Sequence, residues 1–161
     1  MKVTKEDAAW QAGFIDGEGC LTIAKQIRKG RPSPAYRASV TVCNTNQKLL
    51  QPFLKWGGNI YHMREKRNRW ADAYTWHCAD KSISAFLGCI LPYLKGKRMQ
   101  AKIILEFIEN KKGFRRHSLG QGKGSAPLGA EEIKYREKLW LKIKSLNSKG
   151  VYARSIQPER R

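Results

Sequence analysis

The first apolar periodicity in the chain is helical. Trp10, Phe14 and Ile15 follow Thr4-Lys5-Glu6-Asp7, a T-x-x-D capping box. This spacing predicts a helix ending at Asp16-Gly17. After Gly19 the period changes to two. Leu21, Ile23 and Ile27 alternate with Thr22, Ala24, Gln26 and Arg28, which predicts a strand with one apolar and one polar face. Lys29 to Pro34 reads as a turn. A second alternating run follows, with Ala38, Val40 and Val42 on one face and Arg37, Ser39, Thr41 and Cys43 on the other. Asn44-Thr45-Asn46 offers caps for a helix carrying Leu49, Leu50, Phe53 and Leu54, which Pro52 kinks or shortens.

Gly57-Gly58 closes this unit. Residues 59–66 and 73–78 predict another hairpin around the charged loop Lys66-Arg67-Asn68-Arg69. Tyr74, Trp76 and Cys78 take its core side, which leaves Thr75 and His77 on the other. The run at 59–66 has no clean alternation, and its faces stay unassigned. Asp80 or Ser82 caps a helix holding Ile83, Phe86, Leu87, Ile90 and Leu91, and Pro92 to Gly96 breaks it. Met99, Ile103, Ile104, Phe107 and Ile108 mark a longer helix. The order is helix, two strands, helix, two strands, helix, helix. That predicts an α+β fold with helices on one face of an antiparallel sheet.

Residues 1–112 form the expected core. Residues 113–129 read as a Gly-rich basic loop, and residues 130–161 as a C-terminal helix and basic tail packed on the core. In that helix Tyr135, Leu139, Ile143 and Leu146 share a stripe flanked by Ile133 and Trp140. Arg154, Arg160 and Arg161 make the tail basic. No internal repeat is visible.

Charge narrows the function classes. The chain has 161 residues, 32 Lys plus Arg against 13 Asp plus Glu, and a net charge of +19. Hydrophobic residues make up 41%, enough for a core, so wholesale disorder is excluded. A compact domain with this self-repulsion suits a polyanionic partner. Nucleic acid comes first and an anionic membrane surface second. No apolar run approaches the roughly 18 residues of a membrane span, and no apolar h-region follows the N-terminal charges. The expected location is intracellular, in a prokaryotic cytoplasm or an organelle, and not secreted. Cys20, Cys43, Cys78 and Cys89 include no C-x-x-C pair; they read as reduced, mostly buried thiols, and zinc is not implied. His62, His77 and His117 share no motif spacing and carry no assigned role.

The chemistry concentrates in one segment. Ala9, Gly13 and Gly17 recur every four residues, a stripe of small residues that lets another helix approach closely. The helix then runs into Asp16 and Glu18. Carboxylates at a helix C-terminus are disfavoured by the dipole, and a bound cation would offset that cost. The residues alone leave open a buried helix ending in a Gly turn with Glu18 solvated.

Ala12-Gly13-Phe14-Ile15-Asp16-Gly17-Glu18-Gly19 resembles the LAGLIDADG motif of homing endonucleases, including its G-F-x-D-G-E-G variant, with Gln11 in place of the leading Leu. The resemblance in order of elements covers residues 4 to about 110. It implies the αββαββα fold of that family, a saddle-like antiparallel sheet covered by helices on one face, here with an added C-terminal helix. In the family, motif helices of two such units pack about a two-fold axis. The last acidic residue of each motif binds a divalent metal beside a scissile phosphate. Glu18 takes that position, the Gly17 carbonyl is the implied second ligand, and Asp16 holds the more structural acidic position. Oxygen-only ligands suit Mg²⁺ or Mn²⁺.

A single motif without a repeat implies the homodimeric subgroup, with Ala9, Gly13 and Gly17 at the interface and a pseudo-palindromic target. Such a dimer carries twice +19. Lys97 stands where these enzymes often carry a lysine near the attacking water. Asn46 stands where an amide commonly orders solvent, and serving only as a helix cap is an equal alternative. Leu50 replaces a basic residue found in some relatives. The sheet of this family lies in the DNA major groove, which makes Thr22, Gln26, Arg28, Arg37, Ser39, Thr41, Thr75 and His77 candidate base readers. Arg64, Lys66, Arg67 and Arg69 are candidate phosphate contacts, as are Lys111, Lys112, Arg115, Arg116 and Lys123. The implied function is a site-specific double-strand DNA endonuclease, associated with an intron or intein. The alternatives are an RNA-binding maturase acting on intron RNA and a non-cleaving DNA-binding regulator.

Overall fold

In the computed structural model, residues 3–64, 72–79, 82–113 and 128–148 are described. Helix α1 spans Lys5–Glu18, and Thr4 caps it by accepting the Asp7 N–H at 3.1 Å. The expected capping residue is therefore in place. The Asp7 carboxylate reaches Lys55 Nζ at 3.4 Å. Helix passes straight into strand at Gly19. A Cβ there would lie 2.7 Å from the Ile15 carbonyl oxygen and 2.9 Å from Ile15 Cα, so only glycine permits the junction.

Strands β1 (Gly19–Gln26) and β2 (Ala35–Asn44) follow, then β3 (Asn59–Met63) and β4 (Ala73–Ala79). They form one antiparallel sheet in the order β1-β2-β4-β3. Leu21, Ile23, Ala38, Val40, Val42, Trp76 and Cys78 are buried on one face beneath the helices. Two strand limits are shorter than the sequence suggests. Ile27 lies past the end of β1 and is 83% exposed, because pairing stops at Gln26–Ala35. The third strand ends at Met63 rather than residue 66.

Between β2 and β3 the expected helix is replaced by two 3₁₀ turns, Gln47–Leu49 and Gln51–Trp56. Pro52, at the start of the second turn, has no N–H to continue a helical ladder. These turns still deliver Leu50 and Phe53 to the core. Phe53 sits 5.1 Å from the Trp76 ring and 5.9 Å from that of Phe86, an arrangement worth more than its burial alone. The Trp76 indole N–H donates to the Gly57 carbonyl at 3.0 Å, so this fully buried ring leaves no orphan donor.

Helices α2 (Ile83–Ile90), α3 (Arg98–Gly113) and α4 (Ala130–Asn147) complete the covered face. On α4, Leu139 and Ile143 are buried as the stripe predicts, with Tyr135 and Leu146 packed at its margin. Polar contacts fix the docking of α4. Lys25 Nζ meets Glu137 Oε1 at 2.8 Å, the Tyr36 hydroxyl donates to Glu137, and Asn147 Nδ2 donates to the Leu21 carbonyl at 2.8 Å. Burial and the Glu137 contact together push the Tyr36 phenol well above its ordinary range.

The cysteines correct one expectation. Cys78 is buried and Cys89 half-buried, but Cys20 and Cys43 are exposed. Both lie on the uncovered face of the sheet, where alternation along β1 and β2 puts them. Lys66, Arg67, Arg69, Arg115, Arg116, His117, Lys123 and the basic tail lie outside the described residues.

Candidate catalytic tip and nucleic-acid face

The two carboxylates at the end of α1 have opposite environments. Asp16 accepts the backbone N–H groups of Lys95 and Lys97, each at 2.7 Å, from the loop entering α3. This loop, rather than a cation, offsets the unfavourable dipole for Asp16. The Lys97 ammonium donates back to the last turn, to the carbonyls of Ile15 at 2.9 Å and Asp16 at 2.5 Å. A cation at a helix C-terminus is the favourable sign. Glu18 is exposed, and among the described residues its carboxylate has no hydrogen-bond or ion-pair partner.

The chemistry of this tip fits a hard divalent cation. Its oxygen donors are the Glu18 carboxylate and the Gly17 carbonyl in the last helical turn; the Ile15 and Asp16 carbonyls are taken by Lys97. Among the described residues no group of three or more His, Cys, Asp or Glu is placed to hold a metal.

The small-residue stripe is laid open to solvent. Ala9, Gly13 and Gly17 are all exposed, and a Cβ added at Gly13 or Gly17 meets nothing within 4 Å. Trp10 beside them is 42% exposed. The opposite side of α1 is buried through Ala8, Gln11, Ala12 and Ile15. Gln11, which replaces the motif's leading Leu, is fully buried but satisfied. Its Oε1 accepts the Trp56 indole N–H at 2.9 Å, and its Nε2 donates to the Pro52 carbonyl at 3.4 Å.

Asn46 has a defined structural role. Its Oδ1 accepts the Lys48 N–H at 3.0 Å, capping the first 3₁₀ turn, and its own N–H donates to Asn44 Oδ1 at 2.8 Å. Leu50, where the resemblance implies a basic residue, is a core residue.

The uncovered sheet face collects the candidate base readers. Thr22, Gln26, Arg37, Ser39, Thr41, Thr75 and His77 all lie on it, since Thr22 pairs with Ser39 and Thr41 with His77. Arg28 lies beyond β1 and donates to Gln26 Oε1 at 3.0 Å. Arg64 is exposed just past β3. Lys111 stands over the Phe107 ring at 5.7 Å, within α3.

The register also assigns β3, which alternation left open. Asn59 pairs with His77 and Tyr61 with Thr75, placing Asn59, Tyr61 and Met63 on the uncovered face. No sequence signal marks them, because both faces of this edge strand are partly exposed and lack a polar–apolar contrast.

Several solved homing endonucleases share this architecture. The homing endonuclease I-CvuI, in complex with its target and Ca, superposes with TM-score 0.68 at 23% identity, over 91% of this chain and 85% of that one. The archaeal intron-encoded homing endonuclease I-Vdi141I, complexed with DNA, gives TM-score 0.70 at 16% identity over 90% and 86%. The group I intron-encoded I-CeuI, also complexed with DNA, gives 0.56 at 14% over 77% and 73%. This chain has the LAGLIDADG homing-endonuclease fold. No family model and no curated sequence matches it. Within the LAGLIDADG fold, the helix bearing the motif-like segment is α1, and the four-stranded sheet presents its polar face away from the helices. Among the described residues no helix is long and apolar enough to cross a membrane.

Proposed function

We propose that the protein is a site-specific double-strand DNA endonuclease, acting as a homodimer on a long pseudo-palindromic target with Mg²⁺ or Mn²⁺. The observation that carries this reading is Glu18. It is an unpartnered carboxylate at the tip of α1, next to a polar sheet face, in a chain of charge +19. Asp16, two residues before it, is instead bonded to the loop entering α3. The exposed stripe of Ala9, Gly13 and Gly17 gives a second α1 room to approach, which would bring two Glu18 side chains together.

Glu18, with the Gly17 carbonyl, would hold the metal; when bound, the metal supplies water activation and neutralises charge on the cleaved phosphate. The protein's own groups then have separate tasks. Lys97 places its positive charge on the α1 tip and fixes it to the loop before α3. The Asn46 amide NH₂, free of partners among the described residues, is available to solvent while its oxygen serves as the cap. Thr22, Gln26, Arg28, Arg37, Ser39, Thr41, Thr75 and His77 read bases, and Arg64 grips phosphate. A dimer of twice +19 binds with strong salt dependence.

A non-cleaving DNA-binding regulator or an intron-RNA maturase is favoured by one observation. Leu50 is buried and Asn46 is occupied as a cap, which thins the solvent-ordering set. Incubating the protein with a randomised duplex library in Mg²⁺ and sequencing the ends separates these. A roughly palindromic cut consensus supports the endonuclease. Binding without cutting supports the regulator or the maturase.

A further inference from the structure

The β3 edge of the sheet differs in chemistry from its β1–β2 side. On the uncovered face, β1 and β2 present the hydrogen-bonding side chains Thr22, Gln26, Arg37, Ser39 and Thr41, with the small Cys20, Ala24 and Cys43 among them. At the other edge, β3 presents two large apolar groups. Tyr61 is 53% exposed and Met63 56% exposed. Met63 is not loosely held. The Thr75 hydroxyl donates to the Met63 sulfur at 3.0 Å, and Tyr61 stands directly opposite Thr75. On a chain of +19, this apolar pair continues a face otherwise suited to a polyanion, and exposed Arg64 follows it immediately.

We propose that Tyr61 and Met63 read thymine methyl groups in the major groove, so that the base pairs facing β3 are specified by apolar contact rather than by hydrogen bonding. This rests on the sheet binding DNA as proposed above. Thymine is the base that presents a methyl group on its major-groove edge, and apolar side chains recognise it there. Met63 is held but remains polarizable and adaptable, which suits a methyl contact. The tyrosine ring adds a flat apolar surface with a polar rim.

The test uses the full-length protein and the half-site obtained by selecting bound duplexes from a randomised library. Each consensus thymine is replaced singly by uracil, which removes only the methyl. Binding is measured for the wild type and for the double variant Tyr61→Ala, Met63→Ala. For the wild type, at least one thymine per half-site should lose about fourfold in affinity on replacement. In the double variant the same replacement should change nothing. Both residues are exposed, so the variant should keep its fold, and the wild-type series stands without it. A consensus lacking thymine, thymines indifferent to uracil, or a loss that persists in the double variant would each overturn the proposal. Failure of the endonuclease assignment reads out differently, as tight selective binding without cutting; failure to bind any duplex removes both.

Discussion

Asp16 and Lys97 hold each other at two points. The Asp16 carboxylate accepts the Lys97 N–H at 2.7 Å, and the Lys97 ammonium donates to the Asp16 carbonyl at 2.5 Å. This double clasp ties the end of α1 to the start of α3 and sets where Glu18 projects.

Removing the clasp should cost stability as well as activity. Asp16→Ala frees two backbone amides and should destabilise by about 2 kcal/mol. Lys97→Met removes a favourable charge from the helix end and should cost about 1 kcal/mol. Glu18→Gln should leave stability unchanged within about 0.5 kcal/mol, since nothing in the chain bonds it. Urea denaturation of the three variants checks this order. A Glu18 variant as unstable as the Asp16 variant would show that Glu18 has a structural partner.

Gly13 separates folding from assembly. A Cβ there meets nothing within 4 Å, and glycine in a helix interior is weaker than alanine by about 1 kcal/mol. Gly13→Leu should therefore leave the fold intact or firmer, while blocking close approach of a second α1. Sedimentation velocity should find it monomeric, with normal circular dichroism and no double-strand cutting. A Gly13→Leu protein that remains dimeric would place the interface elsewhere.

Gln11 shows how a core position can depart from a motif without penalty. Gln11→Leu introduces the apolar residue of the motif that this segment resembles but strands the Trp56 indole N–H and the Pro52 carbonyl. Thermal melts should show a loss of about 1–2 kcal/mol. Adding Trp56→Phe should recover part of it. Independent, additive losses would mean that the 2.9 Å bond contributes nothing.

Docking of α4 should weaken in acid. The Glu137 carboxyl is held below the ordinary carboxylate range, first by its bond to Lys25 and then by the Tyr36 hydroxyl. A carboxylate with a depressed folded value contributes stability that is complete above its unfolded value and lost as pH falls through the folded one. The pair is partly exposed, so the effect is about 0.5 kcal/mol. Melts at pH 7 and pH 3 should differ less in Glu137→Gln than in the wild type. Equal differences would remove Glu137 from the pH response.

Most of the architecture could be read from periodicity because burial on one sheet face enforces it. Val40 and Val42, or Trp76 and Cys78, alternate with polar residues that face outward. The failures have physical causes. Proline at residue 52 turned a helical pattern into 3₁₀ turns that bury the same Leu50 and Phe53. Edge strand β3 carries no contrast between faces, so only its pairing with β4 reveals Tyr61 and Met63. At the candidate site, Glu18 was legible from the motif. The bonds that separate it from Asp16 were not, because they come from a loop some eighty residues away.

The most direct test of the nuclease assignment compares wild type and Glu18→Gln on one selected target duplex in Mg²⁺, measuring affinity and strand cleavage together. The expected result is affinity within about threefold and cleavage lower by about a thousandfold or more, since metal ligation is lost while the reading face is untouched. A Glu18→Gln protein that cuts at the wild-type rate would contradict it.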